Sequence, residues 1–252
     1  MRVNLGAAAL LQVTGHVVSA HYALTRLIVN GTISKDLQYS RKTDFPAEPY
    51  YVVDQTDTDL TCGFGGVRYG AGVQTATIRA GDSIGIGTQS SAFPPKPYEE
   101  GYYHGGPAQA YLSKLPSGDD LTSYQGDGDW FKIGEYGYLD QYVWEINGFS
   151  GPHYVFMNYT IPETTPPGKY LLRAEQMYML NPGFNGTQIF IGCSHIEVVG
   201  QGGGTPGPLV QFPSAYDPYD PSIAVPVEKT LLPNTGRDLI GYKNPGPAVW
   251  TG

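Results

Sequence analysis

The chain has 252 residues, of which 34 are Gly and 21 are Pro, with aromatic residues at 13% and charged residues at only 15%. Helix breakers at that density exclude a helical bundle or coiled coil, while a 40% hydrophobic share supports a packed core and argues against wholesale disorder. The net charge of −8 argues against binding a nucleic-acid backbone, which needs a basic surface. A loop-rich, all-β protein remains, with a surface that is aromatic rather than charged.

In chain order, Met1-Arg2 gives a short positive start, Leu5 to Val13 is mostly apolar, and Val18-Ser19-Ala20 fits a small-x-small cleavage site. Residues 1–20 therefore read as a secretory signal peptide, with a mature, extracellular protein starting at His21. The apolar run is too short to span a bilayer, and no later stretch reaches about 18 apolar residues, so no membrane partner is expected. Secretion predicts an oxidising compartment. A bond between Cys62 and Cys193, the two cysteines, would close a loop of about 130 residues, worth about 4–5 kcal/mol in the chain-entropy model. Two free buried thiols are the alternative. Asn30, Asn158 and Asn185 each head an N-x-Ser/Thr sequon and are candidate glycosylation sites.

Alternation and β-branched or aromatic runs between Gly/Pro turns predict strands at Ala23–Val29, Val73–Arg79, Gln109–Leu112, Tyr154–Tyr159, Lys169–Met179 and Gln188–Val199. Their spacing and punctuation predict an all-β antiparallel β-sandwich with Greek-key-like connections and long loops. One domain is expected over residues 21–252. Its tail from Leu209 onward, rich in Pro, Tyr and Asp, is expected to wrap the sandwich as an ordered loop.

Three patterns carry candidate chemistry. Gly81-Asp82-Ser83-Ile84-Gly85 matches the G-x-S-x-G of esterases, but that motif works on a strand-to-helix turn, and the flanks here read as strand, tight turn, strand. Glu99-Glu100 and Asp217/Asp220 are acid pairs of the kind a glycosidase uses, yet acids in Pro-rich loops are ordinarily turn residues. Histidine is the scarcer type. His153 and His195 are assigned to predicted strands, and His104 to a turn, His104-Gly105-Gly106-Pro107, leading into a strand. Cleavage after Ala20 makes His21 a chain terminus that offers two metal ligands, its α-amine and its ring. With one further imidazole, three nitrogens can lie around one ion, a donor set that favours Cu(II) over its divalent competitors.

The ordered set of segments resembles the fungal lytic polysaccharide monooxygenases of auxiliary activity family 9. It begins with His21 and Val29-Asn30-Gly31, and continues through Leu60-Thr61-Cys62, His104-Gly105-Gly106-Pro107 with Ala110-Tyr111-Leu112-Ser113-Lys114, and Trp130-Phe131-Lys132-Ile133. Gly168-Lys169-Tyr170-Leu171-Leu172-Arg173-Ala174-Glu175 and Gln188-Ile189-Phe190-Ile191-Gly192-Cys193 follow. Phe212-Pro213-Ser214-Ala215-Tyr216 and Pro245-Gly246-Pro247-Ala248-Val249-Trp250 complete it.

The resemblance implies an immunoglobulin-like or fibronectin-like sandwich carrying a single copper ion gripped by His21, through amine and ring, and by His104. It also implies a Cys62–Cys193 disulfide and a flat polysaccharide-binding face on which Tyr216, and more weakly Tyr219, would stack against sugar rings. Its chemistry would be oxidative cleavage of cellulose or a related β-glucan at C1 or C4, fed by an external electron donor, in a protein expected to be a monomer.

Two positions depart from the family. Gln188 is kept, but Phe190 stands where an axial tyrosine is usual, and Leu180 stands where a histidine beside the metal is usual. Leucine can neither donate a hydrogen bond nor relay a proton. The expectation is that copper binding survives while oxygen chemistry is slowed or altered. The alternative is a secreted copper-binding protein on the same scaffold with little or no oxygenase activity.

Overall fold

A computed structural model describes residues 21–46, 48–90, 102, 104–146, 156–230 and 238–252. Ten strands follow in order: β1 (Tyr22–Val29), β2 (Thr32–Ile33), β3 (Tyr50–Tyr51), β4 (Ala76–Arg79), β5 (Ser83–Ser90), β6 (Ala108–Lys114), β7 (Trp130–Tyr136), β8 (Phe156–Thr160), β9 (Gly168–Met179) and β10 (Thr187–Val199). One short helix, α1 (Asp59–Cys62), precedes β4. The smaller sheet has the order β2-β1-β5-β8, and the larger β3-β10-β9-β6-β7, with β4 beside β10. Among the described residues, all strand–strand pairings are antiparallel except β4 with β10, which is parallel from Ile196↔Ala76 to Val199↔Arg79. The architecture is the expected immunoglobulin-like sandwich, with that one parallel edge as a departure.

The six predicted strands are all present, mostly within a residue or two of their expected ends. Strand β7 was not predicted from pattern, because Trp130, Phe131, Lys132 and Ile133 are all buried and do not alternate. The sheet covers one side of it and the tail the other. The turn at Gly81-Asp82 does join two strands, but it carries the chain from the larger sheet to the smaller rather than closing a hairpin. Ser83 opens a strand and no helix follows, so an esterase elbow is not formed.

Side chains on β9 and β10 sort by parity, as a two-residue repeat requires. Even-numbered Tyr170, Leu172, Ala174 and Phe190 join Leu27 and Ile86 in the core between the sheets. Odd-numbered Leu171, Met177 and Ile189 join Trp130, Phe212 and Tyr216 in a second core on the outer face. The tail covers that face, where Val210 pairs with Trp130 and Val249 with Lys132, and at its end the Trp250 ring packs against the inter-sheet core, meeting Phe131 edge-on at 5.2 Å.

The outer core contains charge. Arg173 and Glu175 are fully buried, with Nη2 2.6 Å from Oε2. Arg173 also donates to the carbonyls of Thr61 and Leu60 on α1 and lies 4.0 Å over the Phe212 ring. Nearby, Cys62 and Cys193 are bonded, closing a 131-residue separation and tying α1 to β10. Two residues along, Arg41 Nε donates to Nε2 of His195 at 2.9 Å, which leaves the imidazole proton on Nδ1. Burial, and then the Arg41 charge, hold the His195 pKa down to about 4. Among the described residues no helix is long and apolar enough to cross a membrane.

Candidate metal centre

Two close backbone approaches place the histidines. Strand β1 crosses β10 with Leu24 against Gly192, where a Cβ would lie 2.7 Å from the Leu24 Cβ. Two residues earlier on each strand, Tyr22 stacks on Phe190 at 4.3 Å, so His21 lies at the end of β1 beside that ring. The loop bearing His104 sits flush on β9. A Cβ at Gly106 would come within 1.9 Å of the Met177 carbonyl oxygen, and Met177 N–H donates to the Pro107 carbonyl at 2.8 Å. The Gly106-Pro107 segment is therefore part of what aims His104.

The two imidazole centroids are 6.4 Å apart, and Phe190 lies 5.9 Å from His21 and 5.5 Å from His104. With metal–nitrogen bonds of about 2 Å, two imidazoles on opposite sides of one ion have centroids about 6 Å apart. The donor set fits a small nitrogen-loving ion. His104 is held on its other flank by Tyr178, stacked at 4.0 Å with 13° between planes. Gln176 Nε2 donates to the His104 carbonyl at 3.2 Å, and Tyr22 hydroxyl donates to Gln176 Oε1. Burial pushes the Tyr22 hydroxyl well above its ordinary pKa, so it stays a neutral donor. His21 Nδ1 lies 3.6 Å from Glu48 Oε2. In the full chain the His21 nitrogen is an amide to Ala20, so its use as a ligand requires cleavage there.

Phe190 is almost wholly buried and presents a ring without oxygen beside both histidines. Gln188, in the register of Tyr178 and Tyr51, donates its amide to the Tyr51 hydroxyl at 2.6 Å. Leu180 is half-buried just past the end of β9.

One expected site residue is corrected. Tyr216 is 1% exposed and cannot form part of a binding surface. Its hydroxyl is held by the Glu175 carboxylate and by Gln109 Nε2, and bonds Tyr111 at 2.9 Å, all within the outer core. Tyr219, by contrast, is 73% exposed. It stacks at 5.1 Å on Phe184, an exposed residue of the β9–β10 turn that sequence reading missed. That turn projects from the end of the sheet where Tyr178 and His104 stack. A stack of this kind has no sequence signal beyond an aromatic among turn residues. Tyr178, Tyr22, Gln176 and Glu48 were missed for a related reason, since their roles come from tertiary neighbours.

The remaining candidates fall where ordinary packing puts them. Asp217 Oδ1 accepts from Tyr219 N–H, and Asp220 Oδ1 from Ser222, so both close turns. His195 is the buried partner of Arg41. Glu99, Glu100 and His153 lie outside the described residues. Asn30, Asn158 and Asn185 are all exposed.

Fold and site together define a β-sandwich protein with a two-histidine, aromatic-walled centre at one end. The model of Auxiliary Activity family 9, formerly GH61, matches residues 21–234, and the chain belongs to that family. It is 35% identical over 253 residues to AA9 family lytic polysaccharide monooxygenase U of Thermothielavioides terrestris, covering 92% of this chain and 93% of that one. It is 34% identical over 239 residues to AA9 family lytic polysaccharide monooxygenase H of Malbranchea cinnamomea, covering 93% and 94%. Among solved structures, a cellulose-active polysaccharide monooxygenase from M. thermophila superposes with a TM-score of 0.71 at 24% identity, over 92% of this chain and all of that one. At that identity the likeness establishes the fold.

Proposed function

We propose that the processed protein, beginning at His21, is a secreted copper monooxygenase that breaks cellulose or a related β-glucan by oxidation. The single observation that carries this is the pair of imidazoles, 6.4 Å apart and walled by Phe190 and Tyr178, at one end of the family's sandwich. The family match begins at His21, which supports cleavage after Ala20 and export. The relatives' description as lytic polysaccharide monooxygenases supports the substrate class.

In this reading the His21 amine and ring and the His104 ring hold one copper ion. Copper held there would supply, with electrons from an external donor and dioxygen or hydrogen peroxide as the oxidant, hydroxylation of a C1 or C4 carbon–hydrogen bond, after which the glycosidic linkage breaks. The chain's residues set the geometry. Tyr178 and Phe190 fix the ring planes, Gln176 pins the His104 loop, and Phe190 keeps water and oxygen ligands off its side of the site. Leu180 offers no donor there. Tyr219 with Phe184 provides a flat aromatic surface on which a sugar ring stacks. Asn30, Asn158 and Asn185 are exposed enough to carry glycans. The protein acts as a monomer.

The test is incubation of the processed, copper-loaded protein with cellulose and a reductant, followed by mass spectrometry of the released oligosaccharides. Oxidised products that require copper and vanish in His104→Ala are expected. Their rate should fall about 10–100-fold below that of family members with a polar group at position 180. Products with native reducing ends, formed in the presence of a chelator, would instead mark a glycoside hydrolase. Phe190 and Leu180 favour one rival reading, a copper-binding protein without oxygenase activity. Tight copper binding with no oxidised sugar would select it.

A further inference from the structure

Among the described residues, Glu48 brings a carboxylate to the histidine pair: its Oε2 lies 3.6 Å from His21 Nδ1. Its position does not depend on that contact. Two residues later β3 pairs with β10, with Tyr50 opposite Ile189 and Tyr51 opposite Gln188, immediately before Phe190. On the other side, Phe45 packs edge-on against Phe64 at 5.5 Å, and Asp44 N–H donates to the Phe64 carbonyl at 2.8 Å. Glu48 is thus carried to the metal centre by a segment anchored at both ends, while its side chain stays 57% exposed.

Among the described residues the rest of the centre is poor in charge. Phe190 is a hydrocarbon ring, Tyr178 and Tyr22 are neutral phenols, and Leu180 has no polar atom. A divalent ion bound by neutral nitrogens carries its full charge, and Coulomb attraction to a carboxylate is linear in that charge. One negative group a few ångströms away therefore stabilises the doubly charged ion twice as much as the singly charged one.

We propose that Glu48 is a positioning residue that sets the redox balance of the bound copper, favouring Cu(II) over Cu(I) through its charge beside His21. This rests on the proposed copper function and adds to it a group that neither the histidine pair nor the axial position supplies. Partial exposure means that salt screens the effect without abolishing it.

The experiment uses the processed chain and its Glu48→Gln, Glu48→Asp and Glu48→Lys variants, measuring Cu(II) and Cu(I) affinities with competing chelators and the reduction potential by titration. Glu48→Gln should lose about tenfold in Cu(II) affinity and about threefold in Cu(I) affinity, a potential rise of about 30 mV at 59 mV per decade. Glu48→Asp should stay near the wild type, and Glu48→Lys should shift further than Glu48→Gln in the same direction. Added salt should raise the wild-type potential and leave that of Glu48→Gln nearly still. Equal Cu(II)/Cu(I) affinity ratios in the wild type and Glu48→Gln would overturn the proposal while leaving the copper function standing. Failure of the wild type to bind copper would overturn both.

Discussion

Neighbouring residues of β9 and β10 face two different environments. Ala174, Gln176, Tyr178 and Phe190 point into the inter-sheet core or toward the histidine pair, and their polar groups support the His104 loop. Arg173, Glu175, Cys193 and His195 point to the opposite face, where they tie down α1, the Arg41 segment and the tail. The first set is built from aromatic rings and a few neutral hydrogen bonds. The second is built from a buried ion pair, a disulfide and a buried imidazole. A strand that changes environment every residue thus keeps metal geometry and tail attachment apart.

If that division holds, damage to the outer face should cost stability and leave copper affinity alone. The largest effect is expected from removing the disulfide. Cys62→Ser with Cys193→Ser frees a 131-residue separation and should lower unfolding free energy by about 4–5 kcal/mol, measured by denaturant titration. Next comes Glu175→Ala, which leaves Arg173 buried without its partner and should cost about 3–5 kcal/mol. Replacing both, as Arg173→Met with Glu175→Leu, should recover only part of that loss: the apolar pair needs no desolvation offset, but the Thr61 and Leu60 carbonyls lose their Arg173 donor and Gln109 and Tyr216 lose their Glu175 acceptor. A copper affinity that fell in step with stability in these variants would erase the distinction between the two faces.

The His195 effect is smaller and depends on pH. Its native pKa of about 4 lies below the value near 6.5 of an exposed imidazole. Between those values the unfolded chain binds a proton that the folded one refuses. The contribution is therefore fully present above pH 6.5 and is lost as pH falls toward 4, by about 3 kcal/mol. Unfolding titrations across that range should show the slope in the wild type and its absence in His195→Gln. A slope unchanged by the substitution would assign the pH dependence elsewhere.

The opposite pattern is expected at the exposed aromatic pair. Phe184→Ala and Tyr219→Ala should each weaken adsorption to cellulose about fivefold, as loss of one ring contact of about 1 kcal/mol implies. Melting temperature and copper affinity should not move. Tyr216→Phe should act the other way, costing stability through the Glu175 and Gln109 hydrogen bonds and leaving adsorption unchanged.

Much of this was legible in the chain. Alternation and Gly/Pro punctuation located six strands because those segments each have one face in the inter-sheet core. Strand β7 escaped because the tail buries its second face, including Lys132, and erases the alternation. His21 was legible from the cleavage pattern before it, and His104 from the family resemblance of its His-Gly-Gly-Pro turn, whose second glycine the β9 backbone requires. Tyr216 was misplaced because its role was carried over from the family motif Phe212-Pro213-Ser214-Ala215-Tyr216, which does not say on which side of the tail the ring is buried. Only the fold reveals that Gln109 and Glu175, far off in sequence, wait beneath it for a hydroxyl. Glu48 and Tyr178 were invisible for the same reason, since nothing local in either segment points to an imidazole.

The most direct measurement is copper titration of the protein cleaved to begin at His21, beside the same protein with its His21 α-amine acetylated. An acylated nitrogen ligates only after losing its amide proton and, with no free amine beside it to anchor the ion, is a far poorer ligand at neutral pH, so the acetylated form should bind about 100-fold more weakly. Equal, tight binding by both forms would contradict a centre built on the first residue of the processed chain.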